Sequence, residues 1–339
     1  MEPLSAHLVK QRLPAYGRGM FRSVGTAALV LAVTACSGEA PQPPHPTPAT
    51  RATVPASAPP PTSATPVAPA SPATFDVDRA LRHVRVLAGR IGPRLATGPA
   101  FREAAVYVEG RLRAAGYGLE RQRFPVPAGD SWGVPVEAGT SFNVVATPPG
   151  FDPGAPYVVV GAHLDTVAVA PGAEDNASGI SVLLELARLA AADGTRVPVV
   201  LVAFGGEEPR GPGDDQHHFG SLAYVSRMTG LERRNLGAMV ALDRVGVGPR
   251  VPVCTGPLSP PRVSAALLAT ARRLHIPTTS CGVNTASDHW SFEQAGFAVA
   301  RVGSTPYAGY HSAADVPSVV RPAQLRRAGR LLIAWLRGR

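Results

Sequence analysis

Apolar positions along this chain change their period several times. From Val77 to Ala88, and again from Ala100 to Ala115, they recur every third or fourth residue, which predicts two amphipathic helices. Asp76 stands at the N-cap of the first, Thr97-Gly98-Pro99 makes a turn between them, and Gly116 suits the end of the second. Tyr117 to Val126 alternates, predicting a strand. Further on the apolar runs are short and unbroken: Tyr157 to Ala162, Val197 to Phe204, Ala238 to Leu242 and Phe297 to Val302. Helical spacing returns between them at Ile180 to Ala192, Ser221 to Met228 and Arg262 to Leu274. Strands buried on both faces and alternating with helices predict an α/β domain with a mainly parallel central sheet. Ligands of such sheets collect beyond the carboxyl ends of the strands.

The N-terminal segment stands outside this pattern. A short basic stretch opening at Met20 precedes the apolar run Val24 to Ala35, too short to span a bilayer but suited to a signal-peptide core. It ends in Val33-Thr34-Ala35-Cys36, which resembles a bacterial lipobox. Residues 1–36 are therefore expected to be a lipoprotein-type signal peptide with Cys36 as the lipidated residue. An ordinary secretory signal is the alternative. Residues 37–74 are rich in Pro, Ala, Ser and Thr and lack aromatics, so a disordered spacer is expected there. Residues 75–339 are expected to form the folded domain. The implied location is the bacterial cell envelope, with membrane contact through Cys36 only.

The net charge of +9 comes mainly from scattered arginines; Lys10 is the single lysine. Basic residues form no long block and do not interleave with aromatics, so no nucleic-acid partner is expected. Cys36, Cys254 and Cys281 are too few for a disulfide scaffold or a thiolate zinc knot. Cys254 and Cys281 could pair in an oxidising compartment or remain two buried thiols.

Acids and histidines gather near the apolar runs. His163 and Asp165 close the first unbroken run, and Asp175 precedes the helix at Ile180. Glu207 and Glu208 follow the second run, Asp243 follows the third, and His311 and Asp315 lie beyond the fourth. Carboxylates converging on one sheet edge would repel one another unless cations bound there. Imidazole with carboxylate and no thiolate suits zinc, and an excess of carboxylates suits a pair of ions.

Taken in order, HLD, DNASG, GEE, LD.VG and YH...D resemble the M28 metallopeptidases, a family of zinc aminopeptidases; the resemblance runs from about Phe75 to Leu336. It implies a three-layer α/β/α sandwich with a mixed sheet and two Zn2+ ions. His163 and Asp243 would bind one ion, Glu208 and His311 the other, and Asp175 would bridge them. Glu207 would be the general base. Asp165 would accept the ring N–H of His163 or otherwise steady the site. The Asp175-Asn176 peptide would be cis. The implied activity is zinc-dependent exopeptidase, an aminopeptidase acting on peptide or protein N-termini. A single-zinc acyltransferase resembling glutaminyl cyclase, and a non-catalytic binding protein on the same scaffold, are the alternatives.

The chain departs from the family pattern after Glu208, where Pro209 to Phe219 intervenes before Gly220-Ser221. Arg210, Asp214, Asp215, His217 and His218 are expected to be solvated there, with substrate gating as the alternative. Asp288 and His289 are expected to shape the pocket wall. Tyr307 and Tyr310 flank His311, for oxyanion hydrogen bonding or for packing. Asp315 is expected to order the His311 loop.

Overall fold

The structure, a computed structural model, describes residues 73–258 and 260–338. Cys36, the expected signal peptide and all but the last two residues of the expected spacer lie outside the described residues.

Asp76 begins the first helix, α1 (Val77–Val84), by accepting the Arg79 main-chain N–H at 2.9 Å. A cap of this kind contributes about 1 kcal/mol. The helix then widens into a π-helical turn over Arg85–Ile91, so the single predicted helix to Ala88 is two pieces. Pro99 opens α2 (Pro99–Ala114), where its missing N–H costs nothing.

The strands are β1 (Gly118–Val126), β2 (Gly129–Asp130), β3 (Pro135–Val136), β4 (Gly139–Thr147), β5 (Tyr157–His163), β6 (Val199–Phe204), β7 (Leu236–Asp243), β8 (Val251–Thr255), β9 (Thr278–Val283) and β10 (Val299–Gly303). Eight of them form one mixed sheet in the order β1-β4-β6-β5-β7-β10-β8-β9, and β2 and β3 form a separate hairpin. The centre, β6-β5-β7-β10, is parallel throughout. β1–β4, β4–β6 and β10–β8 are antiparallel.

Alternate residues of the buried strands point to opposite layers. On one face Val158, Val160, Leu201 and Val240 pack under α1, α2, α3 (Ser178–Asp193), α6 (Arg262–Arg273) and α8 (Pro322–Gly338). On the other, Val159, Val202, Phe204 and Met239 meet Tyr224 of α4 (Phe219–Arg227) and Phe292 of α7 (His289–Gln294). The result is the three-layer α/β/α sandwich. Cys254 and Cys281 are joined by a disulfide, which ties the edge strand β9 to β8. No helix of the described residues is long and apolar enough to cross a membrane.

Candidate active site

Three adjacent parallel strands deliver most of the acids and imidazoles. His163 is the last residue of β5, Asp243 the last of β7, and Glu207 and Glu208 follow β6 after two glycines. Asp175 comes from the turn before α3, and His311 from the loop after β10. All six are buried. The Asp175-Asn176 peptide is cis, as the resemblance implies. Asn176 fastens this turn to the sheet by donating to Leu242 O at 2.8 Å and accepting from Gly179 N at 3.0 Å. A Cβ at Gly179 would stand 2.3 Å from Asn176 Oδ1, so only glycine fits.

Asp175 sits between the two histidines. Its Oδ1 lies 3.1 Å from His163 Nε2, and its Oδ2 lies 3.3 Å from His311 Nε2. Asp243 Oδ1 is 3.8 Å from His163 Nε2, and Glu208 Oε2 is 3.1 Å from His311 Nε2. Glu207 Oε2 is 3.8 Å from His163 Nε2. His163, Asp175 and Asp243 form one compact trio of donor atoms, and Asp175, Glu208 and His311 another; His163, Glu207 and Glu208 form a third.

Burial pushes Glu207 and Glu208 up to about 8. Burial works the same way on Asp175, but the His163 and His311 rings beside it outweigh burial and bring the group down to about 2. His311 is raised to about 10 because its bonds to Asp175 and Glu208 overcome desolvation of the charged ring. Opposed shifts within one cleft are typical of functional sites.

The donor set fits a metal. His163 Nε2, Glu208 Oε1 and Asp243 Oδ1 are buried without a hydrogen-bond partner, and such orphans cost about 1–3 kcal/mol each. His163 Nδ1 lies 3.2 Å from the Asp165 carbonyl oxygen, which fixes the tautomer and turns the Nε2 lone pair toward the acids.

Among known protein families, residues 143–336, more than half the chain, match Peptidase family M28. The chain belongs to peptidase family M28. Similar solved structures include BSAP, a zinc aminopeptidase from Bacillus subtilis, with a TM-score of 0.69 and 19% identity over 77% of this chain and 94% of that one. A Zn-dependent exopeptidase from Parabacteroides distasonis has a TM-score of 0.68 and 18% identity, covering 79% of this chain and all of that one (100%). A glutaminyl cyclase from Porphyromonas gingivalis has a TM-score of 0.65 and 24% identity, covering 77% and 98%. These likenesses establish the fold this M28 chain shares with them.

The residues around the M28 motifs take the following places. The ring N–H of His163 meets the main chain of Asp165, not its carboxylate. That carboxylate instead accepts the main-chain N–H groups of Glu207 and Glu208, each at 3.2 Å, and so holds the tips of β5 and β6 together. Asp315 bonds within the His311 loop through its N–H to Ser312 O at 3.1 Å, and its carboxylate also accepts the N–H groups of Glu174 and Asp175 at 2.8 and 3.0 Å. Tyr307 donates to Asp315 at 2.9 Å, while Tyr310 stacks on His311 with ring centroids 3.7 Å apart. Asp288 and His289 are buried and do not line the pocket, whose wall on this side is Ala286 and Arg301.

The inserted segment after Glu208 is only partly solvated. Asp215 is exposed and His217 half-buried, but Arg210 and His218 are buried, contrary to expectation. His218 lies against the site because the segment folds back across it. His217, His218, Trp132, Tyr310, Arg244 and Arg301 line a pocket of about 160 Å³ over the acids.

Two arginines escaped the sequence reading. Arg94, wholly buried, donates to the carbonyls of Leu87, Gly92, Leu164, Pro171 and Gly172, pinning the loops on either side of the site. Arg301, on β10, lies 3.0 Å from Asp243 Oδ2. Nothing in a lone arginine's sequence neighbourhood marks it as the partner of distant loops.

Proposed function

We propose that this chain is a zinc-dependent exopeptidase, an aminopeptidase that hydrolyses the N-terminal peptide bond of peptides or proteins. The observation that carries the reading is the position of Asp175, whose two oxygens face two different histidines, each with a further carboxylate beside it. His163 and Asp243 would hold one zinc ion, Glu208 and His311 a second, and Asp175 would serve both. Bound there, zinc supplies Lewis acidity that polarises a carbonyl oxygen and lowers the pKa of water.

The chain's own residues supply the rest. Glu207 stands on the strand tip that Asp165 clamps, with its carboxylate beside the trios. Its raised pKa suits a group that takes a proton from the attacking water and returns it to the leaving amine. Site burial and the small, aromatic-rimmed pocket limit the water around the reacting groups.

A second reading is a single-zinc acyltransferase like the glutaminyl cyclases. The observation that favours it is Asp243, which has Arg301 at 3.0 Å from one oxygen and Arg244 at 3.6 Å from the other. Those cations compete with a metal at the His163 side. Export remains part of the proposal: the apolar run before Cys36 and the Cys254–Cys281 disulfide both suit an oxidising envelope compartment.

Purified protein should release the chromogen from aminoacyl anilides, stop when zinc is chelated, and carry two zinc ions by mass spectrometry. Conversion of N-terminal glutamine to pyroglutamate by a protein with one zinc, without anilide cleavage, would establish the cyclase reading instead.

A further inference from the structure

Between Glu208 and α4 runs a stretch that the family motifs leave unaccounted for, and it returns to the site at His218. That residue takes a left-handed backbone, φ 61°, and is 2% exposed. Its N–H donates to Glu207 O at 3.0 Å, and the next N–H, of Phe219, donates to Gly206 O at 2.8 Å. The ring is thereby brought beside the acid: His218 Nε2 lies 3.3 Å from Glu207 Oε1.

The stretch is anchored from outside as well. Arg210 N–H donates to Gln216 O at 2.7 Å, and Arg210 O accepts from Asp130 N–H at 2.9 Å, which joins the segment to the β2–β3 hairpin. A Cβ at Gly129 would fall 2.1 Å from the Arg210 oxygen, so hairpin and segment approach as closely as glycine permits. His218 is placed by folded structure on two sides.

Two ring nitrogens lie near the Glu207 carboxylate, His218 Nε2 by Oε1 and His163 Nε2 by Oε2. Asp165 fixes the Glu207 main chain, and the nitrogen near Oε2 belongs to His163, which the proposed function assigns to a metal. The last torsion of a glutamate is broad, so an unheld carboxylate turns freely.

We propose that His218 is a positioning residue for Glu207, holding Oε1 so that Oε2 faces the reacting centre. The proposal rests on Glu207 being the general base and applies equally to hydrolysis or to cyclisation. Proton transfer needs the base within hydrogen-bond reach, and small misplacements lower rates by up to about a hundredfold.

The test uses the full-length protein with His218→Leu and His218→Gln, reading kcat, KM and zinc content together. His218→Leu should lower kcat at least about tenfold with KM and zinc content unchanged. His218→Gln, whose amide nitrogen can reach Oε1, should restore kcat to within about threefold of wild type. If His218→Leu does not fold, His218→Phe keeps the ring volume and is read in the same way. Wild-type kcat in the leucine variant overturns the proposal, as does a glutamine variant no better than leucine. Zinc loss in either variant also overturns it, since His218 would then belong to the metal shell. Turnover persisting in Glu207→Gln would show instead that the base is misassigned, a separate failure.

Discussion

Arg301 holds one oxygen of Asp243, Oδ2 at 3.0 Å, while the other oxygen stays on the side of His163. Burial favours the neutral acid, but the positive charge of Arg301, with His163 and Arg244 nearby, outweighs it and keeps Asp243 well below the ordinary carboxylate range. A carboxylate placed behind a metal ligand strengthens its donation; a guanidinium does the reverse. Arg301→Met should therefore act in two directions. Without metal it strands a buried charge and should destabilise the fold by about 3–5 kcal/mol. With zinc that charge is neutralised, so the rise in Tm on adding zinc should be larger than in wild type. Thermal unfolding with chelator and with excess zinc checks this. Equal rises in both proteins would detach Arg301 from metal binding.

Glu207 and Glu208 are adjacent in sequence, yet they face different partners: Glu208 meets His311, and Glu207 meets His218. Glu207→Gln should keep its zinc and lose at least about a hundredfold in turnover, the usual share of general-base catalysis. Glu208→Gln should instead lose zinc and recover in part when zinc is supplied in excess. Metal content and turnover measured on the same samples decide between the roles. The opposite pattern would exchange them.

His83 lies far from this chemistry and gives a pH signature of folding. Burial, reinforced by Arg111, Arg79 and Arg82 against Asp76, brings it down to about 4, and its Nδ1 sits 2.6 Å from Tyr107 Oη. The unfolded chain takes up this proton near pH 6.5 and the folded chain only near 4. Its contribution is thus complete above pH 6.5 and lost as pH falls toward 4, by roughly 3 kcal/mol. His83→Phe should flatten the decline of Tm between pH 7 and 5, leaving a smaller slope from His289, which burial lowers to about 3. An unchanged slope would refute the assignment.

The sheet was legible in its parallel centre, where unbroken apolar runs mark β5, β6, β7 and β10, while the buried β4 and β8 were not read. Tyr157 to Ala162 and Ala238 to Leu242 mark β5 and β7 to within two residues, because nothing but apolar side chains fits there. β9 was not read, since Thr278–Val283 is an exposed edge strand with no apolar face. Asp175, Glu207, Glu208, Asp243 and His311 could be singled out because each follows an apolar run or a motif. Arg94, Arg301 and Trp132 could not, because their significance arises from tertiary approach alone. His218 was misjudged for the same reason: a polar segment rich in Gly and Pro reads as solvated until its folding back is seen.

Helix α3 connects two poles of the molecule. Asp175 lies just before its first turn, while Asp193, its last residue, accepts the N–H of Ala73 at 2.8 Å, and Arg337 bonds Ala73 O. Sixteen residues at 1.5 Å each separate these ends by about 24 Å. Ala73 is thus held at the far end of the helix whose head carries Asp175, well clear of the acids.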